Sequence, residues 1–382
     1  MHYYIKADRF FLRSGMEIGG YLEVKDGLFG RYSKTEPIGE ILDYSGKWIA
    51  PGLVDTHIHG YKGHDVMDGD FDGLNEISRG LLSCGVTSFL PTTLTSDVES
   101  LNQVSQLIGE HYQEVEGAKI QGIFFEGPFF TEEHKGAQNP IYFKDPDLAT
   151  FAHWQELSGG IIKKIALAPE REGALTFIET VTNQGVKVAL AHSSATYQQA
   201  KAAIDAGASI FVHTFNGMSG FTHREPGMAG AAMTTKASFA EVITDGHHVH
   251  PAAVDVLLKA KTSQQIVLIT DCMRAGGMPE GESTLGEFAV IVKDGAARLK
   301  EGGSLAGSIL ELFEGVRKVV DWNLATAEEA IKMASYVSAK SVGIEDQCGS
   351  IQPERAADFL IIKPELSLAE TYLDGKKVYS KD

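Results

Sequence analysis

The stretch that decides the fold is PGLVDTHIHG, residues 51–60. Its apolar run ends in His57 and His59, and a glycine follows them. Side chains alternate between the two faces of a strand, so these histidines point the same way and can reach one metal ion together. Ligands that emerge where a strand ends lie where a parallel barrel carries its active site. The stretch therefore predicts a metal site at the end of a strand.

Short apolar runs recur along the middle of the chain, and helix-like segments such as 97–116 and 196–206 separate most of them. The alternation implies parallel strands joined by right-handed crossovers. Eight runs in roughly 230 residues match a (β/α)8 TIM barrel, with a doubly wound open sheet as the main alternative. The runs occupy 51–58, 86–91, 120–126, 163–168, 187–192, 210–214, 240–245 and 266–271.

The two chain ends have a different pattern of short strands and turns. Strand-like segments lie near the start, at 3–7 and 21–24, and near the end, at 358–362 and 370–373. Asp374-Gly375 between strand-like runs is a hairpin signal. We expect residues 1–50 and 345–382 to form one small β-sandwich domain. Residues 51–344 would form the catalytic barrel, with a helix-rich tail at roughly 308–343.

The composition excludes several classes of protein. The chain has 382 residues and a formal net charge of −17, whereas nucleic-acid binding needs a basic face. Its three cysteines have no paired spacing, which argues against disulfides and thiolate zinc sites and favours a reducing cytoplasm. No stretch reaches the roughly 18 apolar residues of a membrane span. We expect a cytoplasmic protein with a small-molecule substrate, and a few local basic groups could still bind an anion.

Histidines and carboxylates follow the apolar runs repeatedly. Singly, each has an ordinary explanation, such as a satisfied loop histidine or, for Asp271, a helix N-cap. Burying them all at one end of a barrel is costly unless they are paired or bound to metal, so together they predict a metal site. Imidazole and carboxylate without thiolate suit Zn²⁺ or Fe²⁺. The six candidate ligands are His57, His59, Glu126, His192, His213 and Asp271.

Six ligands are more than one tetrahedral ion takes. They therefore fit two divalent ions, although one ion per subunit stays open. We expect His57 and His59 to hold one ion and His192 and His213 to hold the other, with Glu126 between them. Two nearby ions can activate a shared water and polarise a carbonyl.

These motifs resemble the amidohydrolase superfamily and, within it, the N-acetylglucosamine-6-phosphate deacetylase family. The resemblance spans nearly the whole chain. The segments that carry it are PGLVDTHIHG (51–60), EGPF (126–129), HKGAQNP (134–140), AHSSATY (191–197), HTFNGMSGFTHREPGMAG (213–230), DGHHVHP (245–251), LITDCMRAGG (268–277), LAGS (305–308) and GSIQPERAADFLII (349–362).

The resemblance implies hydrolysis of the acetamide of N-acetylglucosamine 6-phosphate to glucosamine 6-phosphate and acetate. Metal-bound hydroxide would attack the carbonyl, and Asp271 would take the water's proton and return it to the leaving amine. It also implies a homodimer in which Arg224 can reach the neighbouring site. The phosphate contacts would be Asn216, Gly217, Arg224 and His248, and the sugar contacts Ala137, Gln138, Leu305, Ala306 and Gly307.

Two features of the chain bear on the number of metal ions. Some relatives replace the histidine pair after strand one and keep a single metal, so retention of His57 and His59 favours two. Many amidohydrolases bridge their metals with a carboxylated lysine after strand four, but run four ends in Pro169-Glu170. Glu126 would have to take that role.

Several interpretations stay open. His134 could stabilise an oxyanion, although a loop role is the simpler reading, and His64, His223, His247 and His250 are taken as structural. His247 and His248 are adjacent, so we expect only one of them to face the pocket. The alternative functions are an amidohydrolase acting on a cyclic amide, a deaminase, an enzyme for another N-acetyl sugar phosphate, or a barrel without catalytic activity.

Overall fold

The structure is a computed structural model that describes residues 1–381. The chain begins with four strands that pair antiparallel, and a long fifth strand, parallel to the first, leads towards the barrel. These strands are β1 (His2–Leu12), β2 (Gly15–Ile18), β3 (Tyr21–Lys25), β4 (Leu28–Ser33) and β5 (Ile41–Pro51).

Strands and helices then alternate through the middle of the chain. The elements are β6 (Leu53–Ile58), β7 (Gly60–Tyr61), β8 (His64–Asp65), α1 (Phe71–Leu81), β9 (Val86–Thr93), α2 (Val98–His111), β10 (Lys119–Ile120), β11 (Ile123–Phe129), α3 (Leu148–Leu157), β12 (Ile162–Leu167), α4 (Ala174–Asn183), β13 (Lys187–Leu190), α5 (Tyr197–Asp205), β14 (Ile210–Phe211), α6 (Gly227–Thr234), β15 (Phe239–Ile243), α7 (Pro251–Lys261) and β16 (Ile266–Ile269).

A three-stranded antiparallel sheet follows the eighth barrel strand, and the expected helical tail comes after it. The sequence patterns did not predict this small sheet, which lies at 281–299. The remaining elements are β17 (Gly281–Leu285), β18 (Phe288–Lys293), β19 (Ala296–Leu299), α8 (Leu312–Asp321), α9 (Ala327–Met333), α10 (Tyr336–Ser341), β20 (Phe359–Lys363), β21 (Ser367–Leu373) and β22 (Lys376–Ser380).

Eight parallel strands form the barrel. β6 pairs with β9, and the order continues β9-β11-β12-β13-β14-β15-β16. Two backbone hydrogen bonds join the last strand to the first at their carboxyl ends, from Asp271 N to His57 O (2.9 Å) and from His59 N to Cys272 O (2.8 Å). The (β/α)8 prediction is confirmed, and the open doubly wound sheet is excluded.

The local sequence explains where the barrel strands end and the helices begin. The barrel strands are buried on both faces, as in β9, where every residue is buried. Helix N-caps follow soon after strand ends: Asp97 accepts from Ser100 N to begin α2, and Thr196 forms a capping box with Gln199 to begin α5. Short strand–helix loops therefore gather at the carboxyl ends of the strands.

Both chain ends build one eight-stranded sheet in the order β22-β21-β20-β5-β1-β3-β4, with β2 on β1. The sheet curls until Leu28 bridges Ala356, just before β20, and it encloses its own core, in which the rings of Phe29 and Phe359 lie 6.1 Å apart. The hairpin expected at 374–375 joins β21 to β22. A small β domain formed by both ends is confirmed, whereas 51–344 remains the proposed extent of the barrel domain.

Among residues 1–381, no helix combines the length and the apolar composition that a membrane crossing requires.

Candidate metal centre and substrate pocket

Three of the candidate ligands have strained backbone at the mouth of the barrel. His192, His213 and Asp271 have φ values of 44°, 31° and 49°, and each lies two residues beyond the end of its strand. Non-glycine residues enter this left-handed region at a cost that persists where the surrounding structure fixes it, and such strain clusters at functional sites. The backbone turns these side chains inward over the barrel axis.

The first group of ligand atoms comes from β6 and the end of β16. His57 Nε2 and His59 Nε2 lie 3.3 Å apart. Asp271 Oδ1 lies 3.3 Å from His57 Nε2 and 3.2 Å from His59 Nε2. The two imidazoles are buried, with 0% and 2% of their surface exposed. One ion could contact all three residues.

The second group comes from β11 and the ends of β13 and β14. Glu126 Oε1 lies 3.1 Å from His213 Nε2 and 3.4 Å from His192 Nε2. The two imidazole nitrogens are 3.2 Å apart. These three buried residues form a second set that could hold an ion.

Glu126 touches both groups. Besides its contacts with His192 and His213, its Oε2 lies 3.1 Å from His59 Nε2 and its Oε1 lies 3.5 Å from His57 Nε2. Gln138 Nε2 donates to Glu126 Oε2 over 2.8 Å, which fixes the carboxylate. This placement is the one a bridging carboxylate needs.

Hydrogen bonds on the outer nitrogens fit the imidazoles to a cation. A carbonyl oxygen can only accept, so an Nδ1 that faces one carries the proton, and in the neutral ring Nε2 keeps its lone pair. Paired Nε2 lone pairs would then face each other and repel unless a cation lies between them. Metal-bound histidines in proteins are oriented in this way. The outer contacts are His59 to Thr92 O (3.2 Å), His192 to His134 O (2.9 Å) and His213 to Asn216 O (3.1 Å).

The electrostatics also favour positive charge at the centre. Burial opposes the charged form of His59, but hydrogen bonds with Asp271 and Glu126 outweigh it and raise the pKa to about 9. Burial alone would raise the pKa of Asp271, yet His57 and His59 hold it well below its ordinary range. In the same way, His57, His192 and His213 hold the pKa of Glu126 low against the cost of burial. The carboxylates are therefore ionised and draw cations into the cluster.

A cavity of about 390 Å³ opens beside both groups. It is lined by five of the six candidate ligands, all except His57, and by most of the residues that the family resemblance implied for substrate. The predicted substrate residues that reach it are Ala137, Gln138, Asn216, Gly217, His248, Leu305 and Gly307. Ala306 is fully buried behind its neighbours and does not line the cavity.

Arg224 lies outside this cavity, on an exposed loop before α6. Its predicted contact with a neighbouring site therefore stays a prediction. The cavity instead contains an arginine of its own, Arg298 of β19. Nη1 of Arg298 donates to Gly303 O over 3.2 Å, and within residues 1–381 no carboxylate pairs with it. Sequence reasoning missed Arg298 because it missed the small sheet that carries it.

His248 faces the cavity and His247 does not, as expected for adjacent residues. Asp245 holds the turn, since its Oδ1 accepts from the backbone N of both histidines at 2.8 Å and its Oδ2 lies 2.6 Å from His248 Nδ1. These contacts fix the ring of His248 through its Nδ1 at the edge of the cavity. His250 has a structural role, because its Nδ1 accepts from Ala252 N at the start of α7.

A glycine is required beside the second group. Gly217 has φ of 59°, and a Cβ built on it would lie 2.8 Å from His192 Nδ1. Any larger residue would push against the imidazole that His134 O positions. The HTFNG motif therefore needs its glycine both for the backbone turn and for the packing of His192.

Comparisons with known proteins agree with this geometry. Residues 48–378 match the amidohydrolase family. The N-acetylglucosamine-6-phosphate deacetylase of Vibrio furnissii is 42% identical over 350 residues, which are 91% of this chain and 86% of that protein. The N-acetylgalactosamine-6-phosphate deacetylase of Escherichia coli O157:H7 is 38% identical, covering 98% of this chain and 99% of the relative.

A solved structure supports the same grouping. A variant of N-acetyl-D-glucosamine-6-phosphate deacetylase from Mycobacterium smegmatis, in complex with N-acetyl-D-glucosamine 6-phosphate, superposes with a TM-score of 0.95. It is 28% identical and covers 99% of this chain and 100% of its own. The chain therefore belongs to the amidohydrolase family, and within it to the N-acetylhexosamine-6-phosphate deacetylases, which are hydrolases.

Proposed function

We propose that the protein hydrolyses the acetamide of N-acetyl-D-glucosamine 6-phosphate, giving D-glucosamine 6-phosphate and acetate. The observation that carries the proposal is one cavity of about 390 Å³ that joins two metal-ligand groups to cationic and amide donors suited to a phosphate. The relative from Vibrio furnissii is such a deacetylase and matches 91% of the chain.

The donor set suits one or two divalent ions, Zn²⁺ or Fe²⁺, because it offers imidazole nitrogens and carboxylate oxygens without thiolates. His57, His59 and Asp271 would hold one ion, and His192 and His213 the other, with Glu126 shared. Bound divalent ions supply a nucleophile from water at neutral pH and polarise the substrate carbonyl.

Asp271 is the group that moves the proton. Its carboxylate takes a proton from the attacking water while the new C–O bond forms at the acetamide carbon. It then gives that proton to the nitrogen as the C–N bond breaks, so that a neutral amine leaves. The low pKa of Asp271 means that the carboxylate is ionised before the water attacks, and its Oδ1, within 3.3 Å of both histidines, keeps it at the reacting centre.

Recognition of the phosphate falls to donors around the cavity, because the protein as a whole carries a net charge of −17. His248, Asn216 and the backbone of Gly217 line the cavity, together with Arg298. Arg224 would add a bidentate contact from the neighbouring subunit of a homodimer. Ala137, Gln138 and the 305–307 segment would contact the sugar, and we expect the enzyme to work in the cytoplasm.

N-acetyl-D-galactosamine 6-phosphate is a second candidate substrate. The relative from Escherichia coli O157:H7 carries that activity in its name, and it matches 98% of the chain. The two sugars differ only in the orientation of one hydroxyl, so the same metal and phosphate contacts would serve both.

Turnover on four compounds tests the proposal. The purified enzyme is assayed for acetate release with the 6-phosphates of both N-acetyl sugars, with unphosphorylated N-acetylglucosamine and with a cyclic amide. We expect kcat/KM to be highest for N-acetylglucosamine 6-phosphate and much lower without the phosphate. Equal rates with and without phosphate, or activity only on the cyclic amide, would overturn the proposal.

A further inference from the structure

Two charged residues lie inside the barrel, beneath the metal-ligand groups. Lys164 is on β12 and Glu241 is on β15, and neither has any exposed surface. The Lys164 Nζ forms an ion pair with Glu241 Oε1 across the interior. It also lies 3.4 Å from Thr56 O and 3.6 Å from the centre of the Phe124 ring. The pair is thus enclosed on every side by the barrel strands.

Stability does not explain such a pair. Barrel interiors are filled mainly by branched apolar side chains. Removing two ions from water costs as much as their attraction returns, so an apolar pair of equal volume is often neutral or more stable. The contacts of the pair indicate a different role.

The free oxygen of Glu241 faces a candidate metal ligand. Glu241 Oε2 lies 3.5 Å from His57 Nδ1. Both atoms are buried, and within residues 1–381 neither has a partner at normal hydrogen-bond geometry, so each is the nearest available partner of the other. His59, His192 and His213 each have a backbone carbonyl at Nδ1, and His57 is the exception. Glu241 stands where that carbonyl would be.

We propose that Glu241, held in place by Lys164, is a positioning residue for His57. Its Oε2 would accept a hydrogen bond from the Nδ1–H of His57 and so leave the Nε2 lone pair for the first metal position. Lys164 binds the other carboxylate oxygen, which fixes the orientation of Glu241 and balances its charge. The inference rests on the proposed metal site, and it assigns the interior ion pair to the His57–His59–Asp271 group rather than to the fold.

Metal affinity separates this role from a structural one. Metal-free enzyme is titrated with Zn²⁺ against a chromophoric chelator, and the thermal unfolding of each variant is recorded. In Glu241→Gln we expect one Zn²⁺ per subunit to bind about 10- to 100-fold more weakly, as is usual when a partner of a ligand histidine is lost. Any second Zn²⁺ should bind as in the wild type. Lys164→Met should weaken the same ion.

Lys261 provides the matched control. It is also a buried lysine, but its Nζ binds Thr235 O at 2.6 Å and Ser238 Oγ at 2.9 Å, away from the ligands. Lys261→Met should leave Zn²⁺ affinity unchanged. A structural role for the interior pair would lower the unfolding temperature of its variants but not their affinity for Zn²⁺.

Unchanged Zn²⁺ affinity in Glu241→Gln overturns the inference, whether the wild type binds one ion or two. If Glu241→Gln does not fold, the double variant Lys164→Met/Glu241→Gln is measured instead, because it buries no unpaired charge. Unchanged Zn²⁺ affinity in the double variant would likewise overturn the inference. Acetate release by the wild type is assayed separately, so that a failure of the deacetylase proposal is distinguished from a failure of this one.

Discussion

Replacing Asp271 by asparagine removes the proposed proton acceptor while leaving its surroundings intact. Asparagine tolerates the left-handed backbone that Asp271 adopts at φ 49°. The backbone bonds from Asp271 N to His57 O (2.9 Å) and from Ser308 N to Asp271 O (2.7 Å) do not involve the side chain. The remaining five ligands are unchanged. We therefore expect Asp271→Asn to fold and to retain nearly all of its metal.

The loss of turnover follows from the role assigned to the carboxylate. An amide can neither take the water's proton nor deliver one to the leaving nitrogen. A positioned general acid–base group contributes about 10²- to 10⁴-fold, or roughly 2.7–5.4 kcal/mol of the barrier. We expect kcat to fall by at least about 100-fold.

Acetate release at saturating N-acetylglucosamine 6-phosphate gives kcat, and elemental analysis gives the metal content of the same sample. Asp358→Asn is the control, because Asp358 is 9% exposed, as is Asp271, but pairs with Lys119 beside the small β domain. It should retain wild-type kcat. A kcat for Asp271→Asn within an order of magnitude of wild type, at normal metal content, would refute the assignment.

Three further changes test neighbouring parts of the site and the fold. Gly217→Ala places a Cβ 2.8 Å from His192 Nδ1, and the variant should lose metal. Its control is Gly159→Ala, which has φ of 67° and open space around it and should lose only about 1 kcal/mol of stability. Equal metal contents in the two variants would contradict the expectation. Arg298→Ala should raise KM for the phosphorylated sugar about tenfold, which corresponds to the loss of one hydrogen bond to a charged group. KM for the unphosphorylated sugar should not change. An equal change in both KM values would exclude contact between Arg298 and the phosphate. Burial lowers the pKa of Lys261 to about 8, so between pH 8 and 10.5 the unfolded chain binds more protons than the folded one and the stability of the wild type rises with pH. Lys261→Met should lack this rise when the unfolding temperature is measured against pH. Parallel curves of unfolding temperature against pH for the two proteins would contradict the expectation.

Most of the barrel could be predicted because its signals are local. Each apolar run overlaps an observed strand, although the ends differ: the run at 210–214 contains a strand of only two residues, β14. The candidate ligands could be singled out because a residue just beyond a buried strand must lie at the barrel mouth. Their grouping into two sets was also expected, and it follows from the strand order.

The small sheet at 281–299 was missed even though it carries a local signal. Asp294-Gly295 joins β18 to β19, with φ values of 52° and 74°, and such a dipeptide between alternating runs predicts a hairpin. The barrel pattern ends at β16, and no element was predicted between it and the helix-rich tail at roughly 308–343. Because β19 was not predicted, Arg298 was not predicted as a residue of the cavity.

The interior ion pair depends on contacts that no local pattern contains. Lys164 and Glu241 are 77 residues apart and meet only because β12 and β15 enclose the same interior. In the sequence Lys164 follows Lys163 at the start of one mainly apolar run, and Glu241 shares another with Asp245. A charge at a buried strand position was the only available sign, and it did not identify a partner.

Anomalous scattering from crystals of the purified enzyme, recorded at the zinc and iron edges, tests the central claim most directly. The account predicts two peaks per subunit, one among His57, His59 and Asp271 and one beside His192 and His213, with Glu126 between them. A single peak beside His192 and His213, with the first group empty at full loading, would contradict the two-ion site.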